Sequence, residues 1–234
     1  MNIRRKLPRL GGRKLYFLVK PQLAGLKIKL GRDAFFDLLR ENQLLITPKR
    51  QYTKTTNSKH WMKKHPNLYQ GLAVSRPEQA FVSDITYVES QQKVHYLSLV
   101  TDAYSRKIVG YELSDDMKTT SVVKALEKAV KSRLTTQSLI HHSDRGLQYC
   151  AELYQGVLRK NGITPSMTDG YDCYQNALAE RVNGILKQEF LLQKYKDRET
   201  LQKVLDESIY AYNYYRPHLS LGMKTPNEVH KKAH

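Results

Sequence analysis

Asp84, Asp144 and Glu180 are the residues of this chain best placed to do chemistry. Asp84 interrupts an apolar, β-branched run, Phe81-Val82-Ser83-Asp84-Ile85-Thr86-Tyr87-Val88. A charge at the middle of such a strand is expensive unless it is paired or binds a metal. Asp144 follows a second run, Ile140-His141-His142-Ser143, and precedes Arg145-Gly146, so it stands at a strand end. Glu180 lies in a helical stretch in which Asn176, Glu180, Asn183 and Lys187 recur at spacings of 4, 3 and 4. That spacing makes one polar stripe, opposed by Leu178, Val182 and Ile185 facing the core. Three carboxylates brought together repel one another and call for cations. Oxygen-only ligands favour Mg²⁺, with Mn²⁺ as the substitute. Two such ions can activate an attacking oxygen and stabilise a leaving one, with no covalent protein nucleophile.

Taken singly, each of the three has a plainer explanation, as an edge residue, a salt-bridge partner or a surface carboxylate. The joint pattern carries the reading. Asp102, in Thr101-Asp102-Ala103-Tyr104-Ser105-Arg106, is the competing acid, and a turn role paired with Arg106 is expected for it. His141 and His142 are placed to assist proton transfer, with one of them expected to point into the core.

The partner is indicated by charge. The chain of 234 residues has a net charge of +17. Residues 1–65 hold 17 of the 39 Lys/Arg but only 3 of the 22 Asp/Glu. Such a polycation suits a polyanion, because each phosphate it neutralises releases counterions. Lys49, Arg50 and Lys54 lie in a polar stretch without period, expected as an extended linker along a phosphate backbone. No apolar run is long enough to span a bilayer. The two cysteines, Cys150 and Cys173, form no CxxC pair, and a reducing cytoplasm is the simpler setting.

These residues need a scaffold. Strand patterns occupy 81–88, 94–101 and 107–113, then 138–143 and 163–168. Helical spacing marks 122–134, about 150–160, a Glu180 helix running to about Leu192, and 198–215. Two further helices are expected within 1–45, the second capped by Asp33. Three meandering strands followed by alternating helices and strands predict an α/β fold: a mixed five-stranded sheet with flanking helices. The expected division is a basic helical region and linker (1–65), a catalytic core (78–192), and a helix and tail packed on it (193–234).

Four segments carry a family resemblance: Asp84-Ile85-Thr86-Tyr87, His142-Ser143-Asp144-Arg145-Gly146-Leu147-Gln148-Tyr149, Asn176-Ala177 through Glu180-Arg181-Val182-Asn183-Gly184, and Tyr212-Asn213-Tyr214-Tyr215-Arg216-Pro217-His218. Together they resemble the orfB-type insertion-sequence transposases of the retroviral-integrase-like DDE superfamily, of the copy-out, paste-in type. The resemblance implies an RNase H-like core and Mg²⁺-dependent cleavage and strand transfer, with two ions per site. It implies Asp84, Asp144 and Glu180 as the catalytic and metal-binding set, with Arg145, Asn183 and Lys187 supporting DNA or the metals. The implied partners are double-stranded DNA (terminal inverted repeats and target), further copies of the chain on that DNA, and a helix-turn-helix protein from an upstream frame. A nucleoid-associated place in a bacterial cytoplasm follows. Gln175 stands where the family usually has Asp. A nuclease of the same fold and a non-catalytic DNA-binding relic are the alternatives.

Overall fold

The apolar run around Asp84 forms the central strand of the molecule. The computed structural model describes residues 3–46, 61–169 and 173–232. A short helix α1 (Ile3–Lys6) leads into α2 (Gly12–Gly25) and α3 (Arg32–Glu41). Three strands follow, β1 (Ala80–Glu89), β2 (Val94–Asp102) and β3 (Ile108–Ser114). Then come α4 (Thr119–Lys131), β4 (Leu139–Ser143), α5 (Leu147–Cys150), α6 (Glu152–Lys160) and β5 (Ile163–Met167). The chain continues through α7 (Ala177–Ile185), α8 (Arg198–Tyr214) and α9 (Pro226–Lys232).

The five strands lie in the order β3-β2-β1-β4-β5. β1 pairs antiparallel with β2 and parallel with β4, so the sheet is mixed, as its sequence order predicts. Period-two alternation sends Phe81 and Ile85 to one face of the sheet, where they pack with Val122, Leu126, Tyr154 and Leu158 of α4 and α6. Val82 faces the opposite side and packs with Ala179 of α7. On that side Leu97 and Leu99 join Val182, Leu205 and Tyr212, together with Leu15, Val19, Phe35 and Leu39 of α2 and α3. The sheet is thus buried between two helical layers.

Several local expectations need correction. The helix expected over about 150–160 is α6, and the extended backbone of Ala151 (φ −65°, ψ 140°) separates it from the short α5, which the spacing did not predict. The Glu180 helix does not run on to Leu192 as a regular helix. It widens at Leu186–Phe190 into a π-turn, within which Leu186 and Phe190 are buried. Gly31, not Asp33, precedes α3, and Asp33 instead pairs with its neighbour Arg32. The stretch holding Lys49, Arg50 and Lys54 lies outside the described residues.

Candidate active site

The sheet brings Asp84 and Asp144 side by side. Val82 of β1 is in register with His142 of the parallel β4, and each carboxylate lies two residues farther along its own chain. β4 ends at Ser143, so Asp144 leaves the sheet at the strand's carboxyl end, where open α/β sheets present ligand groups. Asp144 Oδ1 accepts a bond from Gly146 N–H at 2.9 Å, a local turn that fixes its side chain.

α7 covers this strand end. Asn176, just before α7, donates to the Ser83 carbonyl at 3.0 Å, and Asn183 Nδ2 donates to Asp84 Oδ2 at 2.7 Å. Both amides are buried, so half of the polar stripe faces β1 rather than solvent. The side-chain amide oxygen of Asn183 is buried with no hydrogen-bond partner among the described residues. Lys187 is half-buried on the same face. Burial lowers its pKa, opposed by the negative charges of Asp84 and Glu89. Glu180 is exposed in the first turn of α7 and makes no hydrogen bond or ion pair with a described residue.

The three carboxylates share one electrostatic neighbourhood. Burial and the charge of Asp144, then that of Glu180, push Asp84 up to about 7 against the hydrogen bonds from Ile85 and Asn183. Burial, then Asp144, also raises Glu180. Burial disfavours the charged form, and negative neighbours add to the effect. The donors are carboxylate oxygens, the kind that hard divalent cations take. Among the described residues, no three His, Cys, Asp or Glu side chains stand close enough together to hold a metal ion. The donor chemistry therefore fits a divalent cation, while the full ligand set is not closed around one point.

The other expected participants separate. Arg145 lies 3.7 Å from Asp169. His141 and His142 are both buried, not one of the two. The His141 ring meets Ser83 Oγ at 2.8 Å and the Tyr154 hydroxyl at 2.9 Å, and burial pushes its pKa down to about 3. His142 bonds Ser166 Oγ at 2.9 Å and the Gln175 carbonyl at 3.1 Å, and burial pushes it down to about 4. Both are neutral wedges between elements near neutral pH. Asp102 has the turn role expected, and the Arg106 backbone amide donates to its carbonyl at 2.9 Å, but its carboxylate has other partners. It accepts bonds from the Glu78 and Ser105 amides and the Ser105 hydroxyl, while Arg106 donates to the Ala103 carbonyl at 2.6 Å.

One neighbour of the site, Tyr149, closes the His142–Tyr149 segment of the sequence but carried no expected role there. Tyr149 is buried, and its hydroxyl has no hydrogen-bond partner among the described residues. Burial raises its pKa well above the ordinary value, and the charges of Tyr154, Asp144 and Asp84 add to the rise. Its place beside the aspartates follows from the turn into α5.

Comparison with known proteins places the chain. Two integrase core domain profiles match it, over residues 74–173 and 161–226. It is 37% identical over 219 residues to a Shigella sonnei protein, the insertion element IS600 uncharacterized 31 kDa protein, covering 92% of this chain and 80% of that one. It is 30% identical over 197 residues to the transposase InsF for insertion sequence IS3A of Escherichia coli (strain K12), covering 83% and 68%. The chain belongs to the insertion-sequence transposases of the integrase-like DDE superfamily. The transposase for insertion sequence element IS629 of Shigella sonnei is 32% identical, and the match spans 60% of that relative's length.

Solved structures agree on the fold of this family member. The HTLV-2 integrase catalytic core domain in complex with magnesium superposes with a TM-score of 0.54 at 18% identity, covering 66% of this chain and 97% of that one. A chain of the simian T-cell lymphotropic virus intasome in complex with PP2A regulatory subunit B56 gamma gives a TM-score of 0.58 at 17% identity, covering 94% and 74%. The mixed five-stranded sheet with flanking helices is therefore the integrase-type, RNase H-like sheet. No described helix is long and apolar enough to cross a membrane.

Proposed function

We propose that this transposase cuts DNA at the ends of its element and joins those ends to target DNA, using Asp84, Asp144 and Glu180 to hold divalent metal, Mg²⁺ by preference, with two ions in the site. The observation that supports the reading is that burial, then the charges of Asp144 and Glu180, lift Asp84 to about 7. Bound there, such ions supply Lewis acidity and lower the pKa of water. The chain's own residues set the geometry. Asn183 fixes the Asp84 carboxylate, the Gly146 amide fixes Asp144, and Lys187 brings a cation to the side of Asp84.

The first reaction is hydrolysis: a water oxygen bonds to phosphorus, the bond to the 3′ oxygen breaks, and that oxygen takes a proton as a free 3′-hydroxyl. In the second, the oxygen of this hydroxyl bonds to the phosphorus of a target phosphodiester, the bond to the target strand's 3′ oxygen breaks, and that oxygen leaves as a hydroxyl, taking up the proton the attacking hydroxyl gives up. The substrates are terminal inverted repeats and target DNA, engaged by several copies of the chain and a helix-turn-helix partner. Lys49, Arg50, Lys54 and Arg145 serve as phosphate contacts.

Glu180→Gln should lower joining of labelled end DNA by about 100-fold or more with Mg²⁺ present, while leaving DNA binding intact. Joining at wild-type rate by the purified variant would overturn the proposal. Cut ends without joined products in the wild type would make the chain a nuclease instead.

A further inference from the structure

Two cavities lie side by side, the second of them bordered by α7. One, of about 490 Å³, is lined by Tyr104, Arg106 and Lys224 among others. The second, of about 590 Å³, is lined by Lys14, Arg106, Arg181 and Arg216. Tyr69, Arg106 and Ser220 border both, so the two adjoin across a shared wall and together present one basic groove. Among the described residues, no Asp or Glu lines either cavity.

The cations are not equivalent. Arg216 is 1% exposed and its guanidinium is gripped by both oxygens of Glu189, at 2.8 and 2.6 Å, so its charge is answered. Arg216 Nη1 also lies 3.1 Å from His218 Nε2, which accepts from it. Lys14, Arg181 and Lys224 make no ion pair with any described residue. Burial, then the positive charges of Arg216 and Arg181, lower Lys14 to about 8 despite the charge of Glu189. A half-enclosed lysine held down by other cations marks a place lacking an anion.

The groove also offers rings and a direction. Tyr104 is half-buried and makes no ring contact with a described residue, whereas the Tyr69 ring lies 4.9 Å from His142. Gln175 borders the second cavity, and its carbonyl bonds His142, two residues before Asp144. One end of the groove therefore adjoins the strand that presents Asp144. Arg181 follows Glu180 in α7 and lies on the neighbouring face of the helix. Single-stranded nucleic acid is bound by such combinations of a cationic groove and aromatic platforms. A paired base has no free face for Tyr104, so a concave groove of this kind selects an unpaired strand.

We propose that this groove binds an extended single strand of DNA, with phosphates on Lys14, Arg106, Arg181 and Lys224 and a base on Tyr104. The assignment of the strand as DNA rests on the proposed function. The test uses the full chain in EDTA, where no strand is cut, and follows anisotropy of a labelled oligothymidylate of about 12 nucleotides across a salt series. Lys14→Gln/Arg181→Gln should flatten the log–log salt slope by about 1.4, the loss of two single-strand phosphate contacts. Lys124→Gln/Lys160→Gln, on exposed positions of α4 and α6 in the other helical layer, should leave the slope unchanged.

A groove variant whose slope equals that of the wild type, or falls no more than that of the α4/α6 variant, would overturn the proposal. Photo-crosslinking of 5-iodouracil in the oligonucleotide should map to Tyr104; crosslinks confined to other faces count against it. Because cutting is suspended in EDTA, a failure here leaves the Glu180→Gln joining result standing. A failure of that joining test leaves the groove measurement equally readable.

Discussion

Asp84 carries a conflict that only a ligand can relieve. Its carboxyl has a pKa of about 7 in the folded chain against an ordinary value of 3.8. Between those values the folded state holds a proton that the unfolded state releases, so stability falls as pH rises from about 4 and the penalty is complete above about 7. Asp84→Asn should therefore stabilise the chain against urea at pH 8.5 by up to about 4 kcal/mol, and by much less at pH 4.5. Equal gains at the two pH values would contradict the repulsion. Mg²⁺ at pH 8.5 should raise the melting temperature of the wild type and not that of the variant. At this scale the sequence was informative where residue type clashed with surroundings, as for Asp84 in its apolar run. It was uninformative for Asn176 and Asn183, because a helical stripe of polar residues reads as solvent-facing. Their burial depends on the Ser83 carbonyl and the Asp84 carboxylate lying opposite them.

Elements were legible where one period ran without competition. The β-branched runs gave all five strands within a residue or two, because alternation and chain length agree there. The breaks were not legible. Apolar spacing continues through Leu186–Phe190, yet tertiary contacts decide the backbone there. In the π-turn, Glu189 reaches Arg216 and Phe190 reaches the core. Packing between elements is tightest where α4 crosses β3. A Cβ on Gly110 would overlap the Ala125 carbonyl oxygen and stand 2.9 Å from Ala129 Cβ. Gly110→Ala should thus push α4 off the sheet and lower unfolding stability by about 1–3 kcal/mol or more in urea titration. A change below about 0.5 kcal/mol would show that the helix yields freely.

Across the whole molecule, charge and packing divide the chain differently. The basic balance of residues 1–65 marks them off in the sequence, but Leu15, Val19, Phe35 and Leu39 share an apolar cluster with Leu205 and Tyr212 of α8. Lys6 lies 4.1 Å above the Tyr215 ring, a cation–π contact joining the same regions. No periodicity within α2 or α3 says which surface receives their apolar faces, so this union was invisible to the sequence. Phe35→Ala should cost about 3–5 kcal/mol and lower a single shared transition. Two separate transitions would mean that α2 and α3 fold apart from the core. Glu189→Ala, which strands the buried Arg216 charge between α8 and the π-turn, should cost a similar 3–5 kcal/mol.

The most direct measurement is titration of the full chain with Mn²⁺, followed by electron paramagnetic resonance. The account predicts saturable binding to the wild type, lost or weakened at least about tenfold in each of Asp84→Asn, Asp144→Asn and Glu180→Gln, since removing any one oxygen donor opens the set. Binding in all three variants at wild-type stoichiometry and affinity would contradict it.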